Sequence, residues 1–271
     1  MSRETTLTPA DAVAQAIRQP RHAGSPALVA FLTGGFPDLD TFVEHAVAVS
    51  QVADVLEIGV PFRDPMADGV TIQRASHTAL DRGASLARIL ERLRSRRGEL
   101  GCPLLLMSYL NPLLARGLER LHDEAQDCGI HGYIVPDLCL EESEQQVARC
   151  REVGLAFVQL AAPATPDARL ARLCEASSGF VYAVTRNGTT GGTEAPVDPL
   201  PHLRRVKQHA GALPVCAGFG ISSADDIAEL HGVVDGAIVG SALIRAIEAG
   251  QDPAAFVRAL RPATPAQETS R

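Results

Sequence analysis

The sequence predicts a (β/α)8 barrel carrying an extra N-terminal helix. Three observations carry that expectation: the chain length, the alternation of short apolar runs with helical segments, and the number of those runs. With 271 residues the chain is long enough for one large α/β barrel around a buried core. Apolar or β-branched runs recur near Leu28–Leu32, Val55–Ile58, Leu104–Met107, Tyr133–Val135, Ala156–Leu160, Val181–Val184, Val215–Ala217 and Ala237–Val239. Segments of helical periodicity separate them, which is the pattern of repeated βα units. Eight such units close a parallel sheet without leaving edges. An open doubly wound sheet fits less well, because Thr33-Gly-Gly-Phe-Pro37 lacks the G-x-G-x-x-G spacing of its first turn.

Each element has its own signal. An amphipathic leader helix is expected near Pro9–Arg18, within a leader region at residues 1–20. Phe42, Ala46 and Val49 form one helical stripe; Leu86, Ile89, Leu90 and Leu93 form another; Leu243, Ile244 and Ile247 form a third. Ser222, with Asp225 three positions on, predicts a capped helix start ahead of Ile227 and Leu230. The Pro-rich tail, residues 261–271, is expected to fray, and the whole of 1–271 reads as a single barrel with no linker to a second domain.

Composition narrows the function. Hydrophobic residues make up 46% and charged residues 21%, near the average for globular chains, so extended disorder is not expected. Asp plus Glu number 32 against 25 Lys plus Arg, a net charge of −7, and the basic residues are interspersed with acidic ones. Nucleic acid is therefore not an expected partner. No apolar run approaches the roughly 20 residues that span a bilayer, and the start, Met1-Ser-Arg-Glu-Thr-Thr, has no apolar signal core. A cytoplasmic location follows as an expectation. The six cysteines form no C-x-x-C pair, and the eight histidines are scattered. No metal site is expected, and most cysteines read as small core residues.

In a barrel of this kind the loops after the strands form the active face. The second unit places Glu57 inside an apolar strand and follows it with Asp64 and Asp68 in a loop punctuated by proline and glycine. A carboxylate in such a strand costs several kcal/mol of desolvation unless it is paired or put to use. The spacing leaves both readings of Glu57 open, an ion pair with an arginine or a chemical role. Asp64 and Asp68 taken alone read as turn formers. After the seventh and eighth runs come Gly218-Phe-Gly-Ile-Ser222 and Gly240-Ser241, each leading into a helix. Backbone amides at such turns suit an anion, and barrel enzymes often hold phosphate there. Thr185-Arg-Asn-Gly-Thr-Thr-Gly-Gly-Thr193 is long enough to be a mobile lid or a plain surface loop. Tyr109-Leu-Asn-Pro112 and Pro136-Asp137 fall at the same mouth.

Together these residues resemble the tryptophan synthase α subunit family, the indole-3-glycerol-phosphate lyases, over nearly the whole chain. The most specific stretches are Leu56 to Gly69 with Thr71-Ile-Gln73, Tyr109 to Pro112, Thr185 to Gly191, Gly218 to Ser222, and Gly240-Ser241. The resemblance implies cleavage of indole-3-glycerol phosphate to indole and glyceraldehyde 3-phosphate, a retro-aldol reaction that needs no cofactor. It assigns Glu57 as general acid–base and Asp68 as the carboxylate that binds the indole N–H. Phe31, Ile72, Ile134 and Phe219 would form the indole slot. Tyr109 and Tyr182 would lie near the reacting side chain, Thr190 would be a further substrate-binding residue, and Gly191, Gly220, Gly240 and Ser241 would hold the phosphate. With an apolar slot around it, Glu57 is expected to have a raised pKa while Asp68 stays ionised.

The resemblance also implies a PLP-dependent tryptophan synthase β subunit as partner in an α2β2 assembly, met through the loops after the second, third and fourth strands. Arg63 and Cys139 depart from the family pattern in those loops, and Phe36, Asn187 and Thr189 depart elsewhere. These departures keep two alternatives in view: a stand-alone indole producer, and a non-catalytic partner that only activates a β subunit. A phosphate-sugar isomerase or epimerase fits least, because no strand ends in a histidine that could bind a metal.

Overall fold

The computed structural model describes residues 7–185, 198–218 and 220–261. Its strands are β1 (Ala27–Thr33), β2 (Val55–Gly59), β3 (Leu104–Met107), β4 (Ile130–Ile134), β5 (Ala156–Ala161), β6 (Val181–Val184), β7 (Val215–Gly218) and β8 (Gly236–Val239). All neighbouring pairs are parallel, and β8 returns to pair with β1, so the sheet closes in sequence order. Helix α1 (Pro9–Arg18) precedes the barrel. Around it lie α2 (Leu39–Ser50), α3 (Val70–Asp81), α4 (Leu86–Ser95), α5 (Leu110–Arg116), α6 (Leu118–Cys128), α7 (Leu140–Glu152), α8 (Asp167–Ala176), α9 (Leu200–Ala210), α10 (Ala224–Glu229), α11 (Ser241–Glu248) and α12 (Pro253–Ala259).

Two apolar layers follow from strand alternation. Ala27, Val29, Val55, Leu105, Ile134, Val158, Cys216 and Ile238 fill the barrel interior, whereas Leu28, Ala30, Leu56, Ile58, Leu104 and Leu106 pack outward under the helices. The leader helix has the expected bounds. Thr8 caps it by accepting the Asp11 N–H at 3.1 Å, and its apolar stripe, Val13 and Ile17, packs with Ala156 and Phe180. Burial of each such side chain contributes about 1.5–3 kcal/mol. The helix lies against β1, β2, β4 and β5 and so closes the end of the barrel opposite the strand C-termini.

The apolar stripes named from the sequence all face the core: Phe42, Ala46 and Val49 on α2, the Leu86–Leu93 set on α4, and Leu243, Ile244 and Ile247 on α11 are buried. Every expected strand agrees to within one residue at each end except the fourth. There β4 begins at Ile130 and ends at Ile134, three residues before and one before the expected run. His131 and Gly132 broke the apolar pattern, yet both serve the sheet. The His131 ring accepts the Leu104 N–H at 3.3 Å, and Gly132 passes so close to β5 that a Cβ would lie 2.3 Å from the Ala156 carbonyl oxygen.

Two further expectations are corrected. The start of α10 is capped one residue later than the sequence suggested. Ser223 accepts the Asp226 N–H at 3.2 Å, while Asp226 accepts the N–H groups of Ser222 and Ser223. The repeated Ser-Ser and Asp-Asp pairs permit either register in the sequence, and the structure adopts the later one, a capping box between Ser223 and Asp226. At the C-terminus Arg261 is anchored rather than frayed, donating to the Val52 carbonyl at 2.6 Å and to Asp54 at 3.3 Å. Residues 262–271 of the expected tail lie outside the described residues. Among the cysteines, Cys128, Cys150, Cys174 and Cys216 are buried, Cys102 is half-buried and Cys139 is exposed. Among the described residues no helix is long and apolar enough to cross a membrane.

Candidate active site

Strand register sets the first contacts of the site. Phe31 on β1 pairs with Glu57 on β2, and both side chains face inward at the C-terminal end of the barrel. They line a cavity of about 350 Å³ together with Asp68, Ile72, Tyr182, Gly220, Gly240 and Ser241. The closed sheet therefore gathers residues that the sequence spreads from position 31 to 241.

Glu57 is fully buried, and neither carboxyl oxygen has a hydrogen-bond partner among the described residues. No ion pair forms there, so the arginine alternative is not realised among the described residues. Desolvation pushes its pKa up to about 8, which leaves the carboxyl mostly protonated at neutral pH. Asp68 is half-buried on the loop before α3. Desolvation raises it to about 6, and a hydrogen bond from Tyr109 opposes the rise. Asp68 thus remains mainly ionised at neutral pH, although its pKa lies above the usual carboxylate range. The two acids of one cavity are displaced to opposite sides of pH 7.

The loop that carries Asp68 is fixed from several directions. The Tyr109 hydroxyl accepts the Ala67 N–H at 2.9 Å, and its ring stacks on Phe62 with centroids 5.1 Å apart. Gln73, in the first turn of α3, donates to the Asp68 carbonyl at 2.9 Å. The turn-forming role expected of this Pro/Gly loop is also present, with the Asp68 N–H donating to the Pro65 carbonyl. Tyr109 itself borders a narrow crevice beside the main cavity, shared with Phe31, Asp68 and Ile72. Tyr182 lines the main cavity, and burial together with nearby Glu57 and Asp68 keeps its hydroxyl protonated.

On the opposite rim α11 begins at the cavity. Gly240 is its N-cap, and no side chain among the described residues caps the first-turn amides, which have no acceptor within the helix. Gly220 has φ +94°, a left-handed backbone that a side chain would strain. Backbone amides beside a helix start suit an anion such as phosphate.

Not every expected residue joins this wall. Ile134 is packed inside the barrel with Leu105 and Val158, and Met107, its register partner on β3, lines the cavity instead. Thr190, Gly191 and Phe219 lie outside the described residues, as does most of the expected lid. Its first residue, Thr185, is pinned by its N–H and hydroxyl to the Gly218 carbonyl. Sequence reasoning missed Met107, Ile238 and Arg245 in the wall. Period-two alternation from Leu105 would have found Met107, and the i+4 step from Ser241 would have found Arg245. No group of three or more His, Cys, Asp or Glu is placed to hold a metal ion among the described residues.

Comparison with known proteins gives a consistent result. The family model described as tryptophan synthase alpha chain matches residues 17–268. The tryptophan synthase alpha chain of Prochlorococcus marinus is 42% identical over 246 residues, covering 88% of this chain and 90% of that one. That of Xanthomonas campestris is 43% identical over 250 residues, covering 89% and 90%. Among solved structures, Mycobacterium tuberculosis tryptophan synthase superposes with a TM-score of 0.83 at 33% identity, covering 92% of this chain and 96% of that one. A structure of the tryptophan synthase α2β2 complex from Pyrococcus furiosus, described as showing mutual activation, gives 0.78 at 34% identity, covering 86% and 96%.

Proposed function

The chain belongs to the tryptophan synthase alpha chain family, and from that membership we propose that it cleaves indole-3-glycerol phosphate to indole and glyceraldehyde 3-phosphate at the mouth of its barrel. The observation that carries the residue roles is the fully buried Glu57 carboxyl, without a partner among the described residues, in one cavity with Asp68.

The retro-aldol cleavage needs a proton placed on indole C3 and a proton taken from the side-chain hydroxyl. Glu57, protonated at neutral pH, gives its proton to C3 and leaves an indoleninium cation beside its own carboxylate. Asp68, ionised, accepts the N–H of that cation and stabilises its charge. The Glu57 carboxylate then removes the hydroxyl proton. The carbonyl of glyceraldehyde 3-phosphate forms, the carbon–carbon electron pair returns to the ring as the C2–C3 double bond, and indole departs. Glu57 ends protonated, so a single proton cycles and nothing else is consumed. Phe31 and Ile72 flank the ring, Tyr182 faces the side chain, and the amides at Gly220, Gly240 and Ser241 receive the phosphate. We include Thr190, Gly191 and Phe219 in the same roles that the family resemblance gives them.

A β subunit would meet the loops after β2, β3 and β4. Of the four large apolar side chains exposed among the described residues, three, Met66, Val70 and Leu114, follow β2 or β3, and the fourth, Leu7, precedes α1. Two desolvated carboxyl groups in one cavity, one of them without a partner among the described residues, disfavour a chain that only activates a partner, because each is costly to keep there.

The test is incubation of the purified chain with indole-3-glycerol phosphate, with indole as the readout, in the absence and presence of a tryptophan synthase β subunit. Indole release is expected from the chain alone, with a higher rate in the complex. No indole under either condition refutes the assignment, and a rate indifferent to the β subunit identifies a solitary enzyme.

A further inference from the structure

We propose that Arg245 binds the phosphate monoester of the substrate, adding a side-chain cation to the backbone amides at the start of α11; this rests on the reading of the cavity given above. Arg245 follows Ser241 by four residues, so the two share a helix face, and a long side chain there leans back toward the helix N-terminus. Both residues line the same cavity, and Arg245 is the single cation among its described lining residues.

What keeps this guanidinium available is an ion pair made by a neighbour. Glu248, three residues further along α11, is the acid that could neutralise Arg245 on its own helix. Both Glu248 oxygens are instead taken by Arg74 of α3, through Nε at 2.8 Å and Nη2 at 2.7 Å. Arg245 itself is exposed and makes no ion pair among the described residues. The α11 N-terminus supplies roughly half a positive charge. A phosphate monoester carries close to two negative charges above pH of about 6, which leaves charge for a cation to balance. A guanidinium matches two phosphate oxygens at once, so arginine suits this position.

The experiment uses the full chain and glycerol 3-phosphate as the probe, titrated calorimetrically into the native protein, Arg245→Gln and Arg245→Lys. Arg245→Gln is expected to weaken binding about tenfold at low salt and less at high salt, because an exposed pair is screened. Arg245→Lys should recover part of the loss. The same Gln substitution should raise KM for indole-3-glycerol phosphate and lower the preference for it over the phosphate-free indole glycerol. Equal affinity of the native protein and Arg245→Gln for glycerol 3-phosphate overturns the inference. Binding that depends on Arg245, with no indole released by the native protein, would support this inference while refuting the lyase assignment. Indole release with a phosphate affinity blind to Arg245 would do the reverse.

Discussion

The ring of Phe31 lies against Gly59, where a Cβ would come within 2.3 Å of the ring Cζ. Strand β2 therefore gives up a side chain two residues beyond Glu57 so that the tip of the Phe31 ring can occupy that space. Gly59→Ala should drive the ring into the slot. Overpacking of this kind costs about 1–3 kcal/mol, so a lower thermal midpoint is expected together with a raised KM for indole-3-glycerol phosphate. Unchanged KM and midpoint would show that Phe31 moves freely and does not shape the slot.

Glu57→Gln should lower kcat by about 10²–10⁴-fold, the usual contribution of a general acid–base. Single-turnover indole release measures it, and near-native rates would remove Glu57 from the chemistry.

The same substitution should stabilise the fold, with a defined dependence on pH. Glu57 titrates near 4.5 in an unfolded chain and at about 8 in the folded one, so between these values the folded state binds the extra proton. Stability then falls as pH rises through that window, by up to about 5 kcal/mol once Glu57 is forced to ionise. Thermal midpoints of the native protein and Glu57→Gln should diverge from pH 5 to pH 8, with the variant the more stable. A constant difference would show that Glu57 is not desolvated.

Cleavage requires Asp68 ionised and Glu57 protonated, so kcat/KM should follow a bell with limbs near about 6 and about 8. The Tyr109 hydrogen bond lowers the Asp68 pKa. Tyr109→Phe should therefore move the acid limb to higher pH and leave the alkaline limb in place. A shift of the alkaline limb instead would show that Asp68 is not the group that titrates on the acid limb.

Docking of a β subunit should depend on Leu114, which is exposed on α5 and outside the cavity wall. Leu114→Asp is expected to lower the activation of indole release by an added β subunit, measured as the ratio of rates with and without it. A ratio equal to that of the native chain would place the interface elsewhere.

Much of the site was legible because its signals are local. Glu57 is conspicuous as an acid within an apolar strand, and the glycines ahead of α10 and α11 announce backbone that can approach an anion. Gly132 and His131 concealed the start of β4, because their value lies in contacts with β5 and β3 that no linear window contains. Met107 stands in the wall and Ile134 does not, although each ends an apolar strand and the two are partners in register. Which of them reaches the cavity depends on how the closed barrel stacks its interior, not on residue type.

The sequence by itself determined the eight βα units, the leader helix and the chemical types at the mouth, since periodicity and residue chemistry are properties of short segments. Only the tertiary structure decided the state of those groups. Barrel closure strips water from Glu57 and offers it no partner among the described residues, and the packing of α3 against α11 lets Arg74 occupy Glu248 and leave Arg245 facing the cavity. Desolvation and competition for partners depend on what surrounds a group in space, and that surrounding is assembled from residues far apart in the chain.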